Sequence, residues 1–245
     1  MSADTIAAAV AIAYLAAFCM STTGFGFALT MTPLLTLAWD VKPAIATSVL
    51  LSLTTKWPLL FEVREHIVPS RVTVLLVGFV LGLPVGLVLF EQLDSGSLKV
   101  FVASTVIVAS IITFLSPSLK IADRVARPIA VAAGVVSGAL GGSTSMDGPP
   151  VVLYLLGRYR EIEAFRSTIL SYFLPTGIVM VSAFAVLGRF DGDVLVTAAA
   201  CLPAIALGIL SGTMLRSRLE PERFRHVVLA VLVVSSAGIL TSVAV

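Results

Sequence analysis

Long apolar runs separated by short polar loops dominate the chain. They cover approximately residues 5–39, 43–63, 71–91, 98–116, 127–157, 161–187, 193–215 and 224–244. Most are near the roughly 20 residues that an α-helix needs to span a hydrocarbon layer about 30 Å thick. Two are longer and interrupted. The first is broken at Ser21-Thr22-Thr23-Gly24-Phe25-Gly26, and the fifth at Gly141-Gly142-Ser143-Thr144-Ser145-Met146-Asp147-Gly148-Pro149-Pro150. Glycine and proline at this density break helices, so the pattern predicts pieces of about 8 to 15 residues on either side of each break, too short to span alone. It predicts an all-α polytopic membrane protein.

Composition agrees. Hydrophobic residues make up 58% of the 245, charged residues 12%, and mean hydropathy is +1.06. Soluble domains carry about 25% charge, so no soluble domain larger than a loop is expected, and ATP-driven transport would need a separate subunit. The net charge of +2 forms no basic cluster suited to nucleic acid. Cys19 and Cys201 lie in apolar runs and, with His66 and His226, make no metal-ligand spacing. No cofactor is expected. No adjacent nucleophile and base, no histidine pair and no acid pair within one helix suggests an enzyme. The N-terminus has no basic region and no small-residue cleavage site, and reads as part of the first helix.

The basic residues constrain the crossings. Eight single crossings would put Lys120, Arg124 and Arg127 on the opposite side from Arg158, Arg160 and Arg166, and would split the loop cations 9 to 6. If the two broken segments each cross an even number of times, as re-entrant hairpins or paired half-helices, the split becomes 12 to 3. Only Lys42, Lys99 and Arg189 then face outward. The positive-inside rule favours the second arrangement, with both termini outside the inner membrane.

The broken segments also mark a duplication. Residues 82–112 align with 208–238 without gaps, pairing Gly82 with Gly208 and Gly86 with Gly212, while upstream Gly24 pairs with Gly141, Pro33 with Pro150 and Pro58 with Pro175. The expected repeats are 1–122 and 123–245, inverted in topology, each a broken or re-entrant first segment followed by three transmembrane helices. Inverted repeats with discontinuous helices recur in secondary transporters, with the substrate near the midplane. The Gly78, Gly82, Gly86 stripe and the Gly208, Gly212 pair read as close helix contacts.

Unwound backbone at bilayer depth survives only buried in protein or facing a wet cavity. A half-helix starting at such a break points free N–H groups and partial positive charge into that cavity, which suits an anion. Candidate ligands are Thr22, Thr23, Gly24 and Gly26 at the first break, and Gly141, Gly142, Ser143, Thr144 and Ser145 at the second. Two facing copies would grip a small oxyanion from both sides. Close packing and hydroxyls bonded back to their own helices are the plainer alternative. Lys56, deep in the second segment, supplies a cation or snorkels to the interface. Arg166 supplies a guanidinium or pairs with Glu161 and Glu163. Asp147 would repel an anion unless it is protonated, paired with Lys56 or Arg166, or turned outward. It is either a proton-coupling group or a cap on the helix starting at Gly148-Pro149-Pro150.

The stretch TGFGFALTMTPLLTLAWDVKPAIATSVL, with Gly24, Gly26, Pro33, Pro43 and Ala46-Thr47-Ser48, resembles the signature of the sulfite exporter TauE/SafE family of membrane transporters. The second copy repeats the layout in Gly138, Gly141, Gly142, Pro150 and Ser167. The resemblance extends over essentially the whole chain. It implies outward movement of sulfite or organosulfonates and adds Ser48 to the candidate ligands. The reading is a secondary transporter of small anions, working by alternating access between cytoplasm and exterior. The alternatives are an anion channel and a cation- or proton-coupled carrier centred on Asp147. Expected partners are a small anion, the lipid bilayer and a second copy in a homodimer.

Overall fold

The computed structural model describes residues 2–63, 69–115, 121–158 and 162–215, together with 239 and 241. Among these, every regular element is an α-helix: α1 (Ala3–Thr23), α2 (Phe27–Ala38), α3 (Val41–Val63), α4 (Pro69–Gln92), α5 (Ser95–Leu115), α6 (Asp123–Thr144), α7 (Gly148–Arg158), α8 (Ile162–Val186) and α9 (Gly192–Leu215). The apolar run 224–244, His66 and His226 lie outside the described residues, save for Ile239 and Thr241. Among the described residues, five helices are long and apolar enough to cross a membrane: Ala3–Thr22, Val72–Gln92, Asp123–Thr144, Ser167–Val186 and Gly192–Leu215. Their outer faces expose large apolar side chains such as Val80, Leu81 and Val85 on α4 and Leu207, Leu210 and Met214 on α9. Water would not tolerate this surface; lipid suits it. The protein is a multi-pass membrane protein.

Both long segments break where the sequence indicates, but the pieces are unequal. The expectation of short halves on each side is corrected. α1 and α6, at 21 and 22 residues, are about 32 Å long and can each span. α2 and α7, at 12 and 11 residues, reach only about 17 Å. The apolar residues preceding each break run to the end of a helix of spanning length, so each break joins a long helix to a short one instead of two short halves.

Two close crossings hold the bundle. α4 lies along α6, and α9 lies along α1. The glycine stripes are the contact faces. A Cβ on Gly82 would collide with the carbonyl of Val135, and one on Gly86 with that of Ala139. A Cβ on Gly208 would strike the carbonyl of Tyr14, and one on Gly212 the Ser21 hydroxyl beside the carbonyl of Phe18. Tyr14 and Val135 stand 121 positions apart, as do Phe18 and Ala139. Lipid offers no hydrophobic drive for helix association, so the absence of side chains, which lets backbones touch, supplies the packing energy. α3 packs against α8 between these two pairs.

The loops also sort by end. Ile121 N–H donates to the Gly157 carbonyl at 3.0 Å, and Arg158 forms an ion pair with Asp123. The end of α7 therefore sits beside the start of α6, and the two loops that eight single crossings would separate meet. Arg189 pairs with Glu91 and stacks over Phe90, whose ring also meets Lys42. Lys42 donates to the Glu91 carbonyl at 3.1 Å, so two of the three cations expected outside share one place.

Gly82→Leu is expected to abolish the folded protein, because backbone occupies the space its side chain needs. Gly192→Leu, with nothing within 4 Å of its Cβ position, is expected to be tolerated. Size-exclusion profiles in detergent check both; a monodisperse Gly82→Leu protein would contradict the crossing.

Candidate functional site

Left-handed residues make both breaks. Gly24, at φ 86°, ends α1 and donates its N–H to the Met20 carbonyl at 2.8 Å. Ser145, at φ 68°, ends α6 and donates its N–H to the Gly141 carbonyl at 2.9 Å. In each case a new helix starts three residues later. Gly24 therefore corresponds to Ser145 and Gly26 to Asp147, again 121 positions apart. The pairing of Gly24 with Gly141 is displaced by about one helical turn. Matching glycine to glycine misses that a serine, at a cost of about 1–2 kcal/mol, holds the left-handed position. Gly141 has another use: its missing side chain leaves room for the Asp147 Cβ and the Met180 sulfur, each 3.1 Å from where its own Cβ would be.

The two breaks meet at one cavity. Gly26, Phe27, Ala28 and Leu29 line it from the start of α2, and Met146, Asp147 and Gly148 from the start of α7. Met20, Ser52, Lys56 and Phe173 complete the wall. Its volume is about 20 Å³, room for about one water. A four-heavy-atom oxyanion needs more room than this.

The two helix starts are not equivalent donors. The first intrahelical bond of α2 runs from Thr30 N–H to the Gly26 carbonyl at 3.0 Å. The N–H groups of Phe27, Ala28 and Leu29 belong to the first turn, which lacks acceptors within the helix. In α7 the same positions are Gly148, Pro149 and Pro150, and proline has no N–H. The symmetric grip expected from two facing copies is corrected: α2 offers three backbone donors, and α7 offers one.

Lys56 and Asp147 supply the charge. Both are buried, 4% and 5% exposed. The Lys56 ammonium lies 3.9 Å from Asp147 Oδ2 and 5.2 Å from the centre of the Phe173 ring. Its stem passes Gly177, where any side chain would press on it: a Cβ there would sit 3.1 Å from Nζ. Thr176 Oγ1 is 3.0 Å from Asp147 Oδ2 and donates to it, with the Phe173 carbonyl a second acceptor at 3.2 Å. Ser137 donates to the Asp147 backbone carbonyl and sits 2.7 Å from the Tyr172 hydroxyl. Asp147 thus turns to Lys56 and away from a capping role. A cap accepts from the second or third helical N–H, and Pro149 and Pro150 have none.

The other candidate ligands are placed differently. Thr22 donates to the carbonyls of Phe18 and Cys19 at 3.0 and 2.9 Å, Ser143 to that of Ala139 at 2.6 Å, and Thr144 to that of Leu140 at 2.7 Å. These hydroxyls satisfy their own helices. Ser48 accepts from Thr32 Oγ1 at 2.9 Å and ties α3 to α2. Gly142 packs on Leu83 of α4. Ser145 Oγ is buried with no hydrogen-bond partner among the described residues. The side chains of Thr23 and Arg166 lie outside the described residues. Of the candidate residues, Gly26, Lys56 and Asp147 line the cavity. Sequence reading missed Ser52, Thr176 and Phe173. Ser52 was reachable, one turn before Lys56 on the same helix face; nothing in the linear sequence joins Thr176 to Asp147.

A larger space of about 740 Å³ lies among α5, α6 and α7. Phe101, Val108, Ile129, Val136 and Leu153 line it, and no charged residue does. It opens beside exposed valines and isoleucines and suits hydrocarbon, not an anion.

The family model described as sulfite exporter TauE/SafE matches residues 9–239. No curated protein and no solved structure matches the chain.

Removing one partner of a buried ion pair typically costs about 3–5 kcal/mol, because the other charge stays buried and unpaired. Lys56→Met is expected to destabilise the protein on that scale, and adding Asp147→Asn is expected to recover most of the loss. Unfolding of detergent-purified variants measures both; a Lys56→Met protein as stable as the parent would contradict the pairing.

Proposed function

The chain belongs to the sulfite exporter TauE/SafE family, a family of transporters and not of enzymes, and on that premise we propose that it carries sulfite or organosulfonates out of the cytoplasm by alternating access. The observation that carries this reading is a buried ammonium, Lys56, in the one small cavity that both chain breaks line. The first turn of α2 brings three N–H donors to the same wall. An anion between them meets a full positive charge and a helix N-terminus together. Phe173, under the ammonium, shields that side from water.

In this reading the chain is two inverted repeats, 1–122 and 123–245. The reciprocal crossings of α4 on α6 and α9 on α1 support it: the contacted residues of α1 and α6 stand 121 positions apart, and the glycines of α4 and α9 that meet them stand 126 apart. The contact of the 121–123 loop with 157–158 supports even crossings of the broken segments. The basic loops then face the cytoplasm and both termini the exterior of the inner membrane. One repeat moving against the other enlarges the cavity and opens it to each side in turn. An interior-negative potential favours expelling an uncompensated negative charge by about 2.3 kcal/mol per 100 mV.

A thermal-shift panel on detergent-purified protein tests the substrate class. Sulfite or sulfoacetate is expected to raise the melting temperature of the parent protein and not of Lys56→Gln, with carboxylates weaker. In liposomes, saturable flux with counterflow is expected. Stabilisation by sodium or amines in place of anions would overturn the reading, and ohmic single-channel current would replace the carrier with a channel.

A further inference from the structure

The Asp147 carboxylate occupies the position that a transported anion needs. It lies 3.9 Å from the Lys56 ammonium, in a cavity with room for about one water. Among the described residues, Lys56 is the one charged group facing it. α8 brings the Thr176 hydroxyl to its Oδ2 and, through Ser137 of α6, the Tyr172 phenol to its backbone carbonyl. α2 presents only the backbone and the apolar side chains of Phe27, Ala28 and Leu29. The empty site is therefore balanced, with one cation against one carboxylate. An incoming monoanion would leave one uncompensated negative charge where desolvation penalises it heavily.

We infer that Asp147 is the resident counter-ion of Lys56 and must take up a proton for an oxyanion to bind, so that anion and proton enter the cavity together. This rests on the anion-transport reading above. The proton comes from water on the side to which the site is open and goes to the Asp147 carboxylate. Lys56 keeps its charge and exchanges the carboxylate for the anion as its partner. No covalent bond to the anion forms or breaks. Thr176 has the geometry to follow the exchange: its hydroxyl donates to the ionised carboxylate at 3.0 Å and, once that is neutral, has the Phe173 carbonyl at 3.2 Å as its alternative acceptor. The loaded site is again neutral for a monoanion. The membrane potential then neither drives nor opposes the loaded step; each exported anion carries a proton outward, so an inward-directed proton gradient opposes export and the anion's own gradient must drive it.

Calorimetry of sulfite binding to the full-length protein, in buffers of different ionisation enthalpy, measures protons taken up per anion. The parent protein is expected to take up close to one proton more than Asp147→Asn, sulfite's own titration being common to both. Its affinity is expected to fall with rising pH more steeply than that of Asp147→Asn, approaching tenfold per pH unit. Equal proton uptake by the two proteins overturns the inference while leaving anion transport intact. Failure of the parent protein to bind sulfite, sulfoacetate or methanesulfonate overturns the anion reading itself. Thr176→Val provides a second test should Asp147→Asn not fold. Loss of the donor weakens the ionised carboxylate, so the pH at which sulfite affinity falls is expected to rise; an unmoved midpoint overturns the inference.

Discussion

Backbone that leaves a helix inside a lipid bilayer has nowhere to satisfy its N–H and C=O groups except within the protein, and each orphan costs several kcal/mol. This chain leaves helical structure twice inside its apolar segments, at Gly24–Gly26 and at Ser145–Asp147, and both excursions end at the same cavity. Much of the rest serves to bury them. The glycine faces of α4 and α9 bring α6 and α1 into backbone contact. The hydroxyls beside the breaks turn back onto their own carbonyls. With the local backbone closed in this way, the cavity's polarity is left to the first turn of α2 and to one ion pair.

In the two-repeat reading, that ion pair reflects asymmetry between the halves. At the offset that superposes the two breaks, Asp147 stands where the first half has Gly26, and Gly177 stands where the second half lacks Lys56. Each charged residue thus faces a glycine at its counterpart position, and the space at Gly177 is what admits the lysine stem. The donors are unequal for the same reason: Pro149 and Pro150 remove from α7 the N–H groups that α2 retains. A pocket of two equal helix ends would hold an anion and no compensating acid. Here a cation and an acid share one small space.

The elements were legible because lipid imposes a length rule and glycine-proline clusters mark its violations. The ends of α3, α4, α5, α8 and α9 to within a few residues, both breaks and the contact role of Gly82 and Gly208 follow from spacing alone. Lys56 and Asp147 stood out because charge is expensive at those depths. The unequal halves were less visible, since apolarity continues through Thr23 and Thr144 without announcing where a full span ends. Thr22, Ser143 and Thr144 turn back onto their own helices, an orientation that hydroxyl content does not reveal; in an apolar helix the nearest acceptor is the carbonyl three or four residues back. The loss of donors at Pro149 and Pro150 was readable from the outset and is elementary chemistry. Thr176 and Phe173 join the site only through the crossing of α8 with α3, which no local pattern encodes.

The central claim is that an oxyanion binds between the Lys56 ammonium and the first turn of α2. Selenite, a heavier analogue of sulfite, allows a direct measurement by anomalous diffraction from crystals grown in its presence. The expected result is a selenium peak within hydrogen-bond reach of Lys56 Nζ and the N–H groups of Phe27 to Leu29, lost in Lys56→Gln. Selenium found only among the basic loops, with the cavity at Lys56 unchanged, would contradict it.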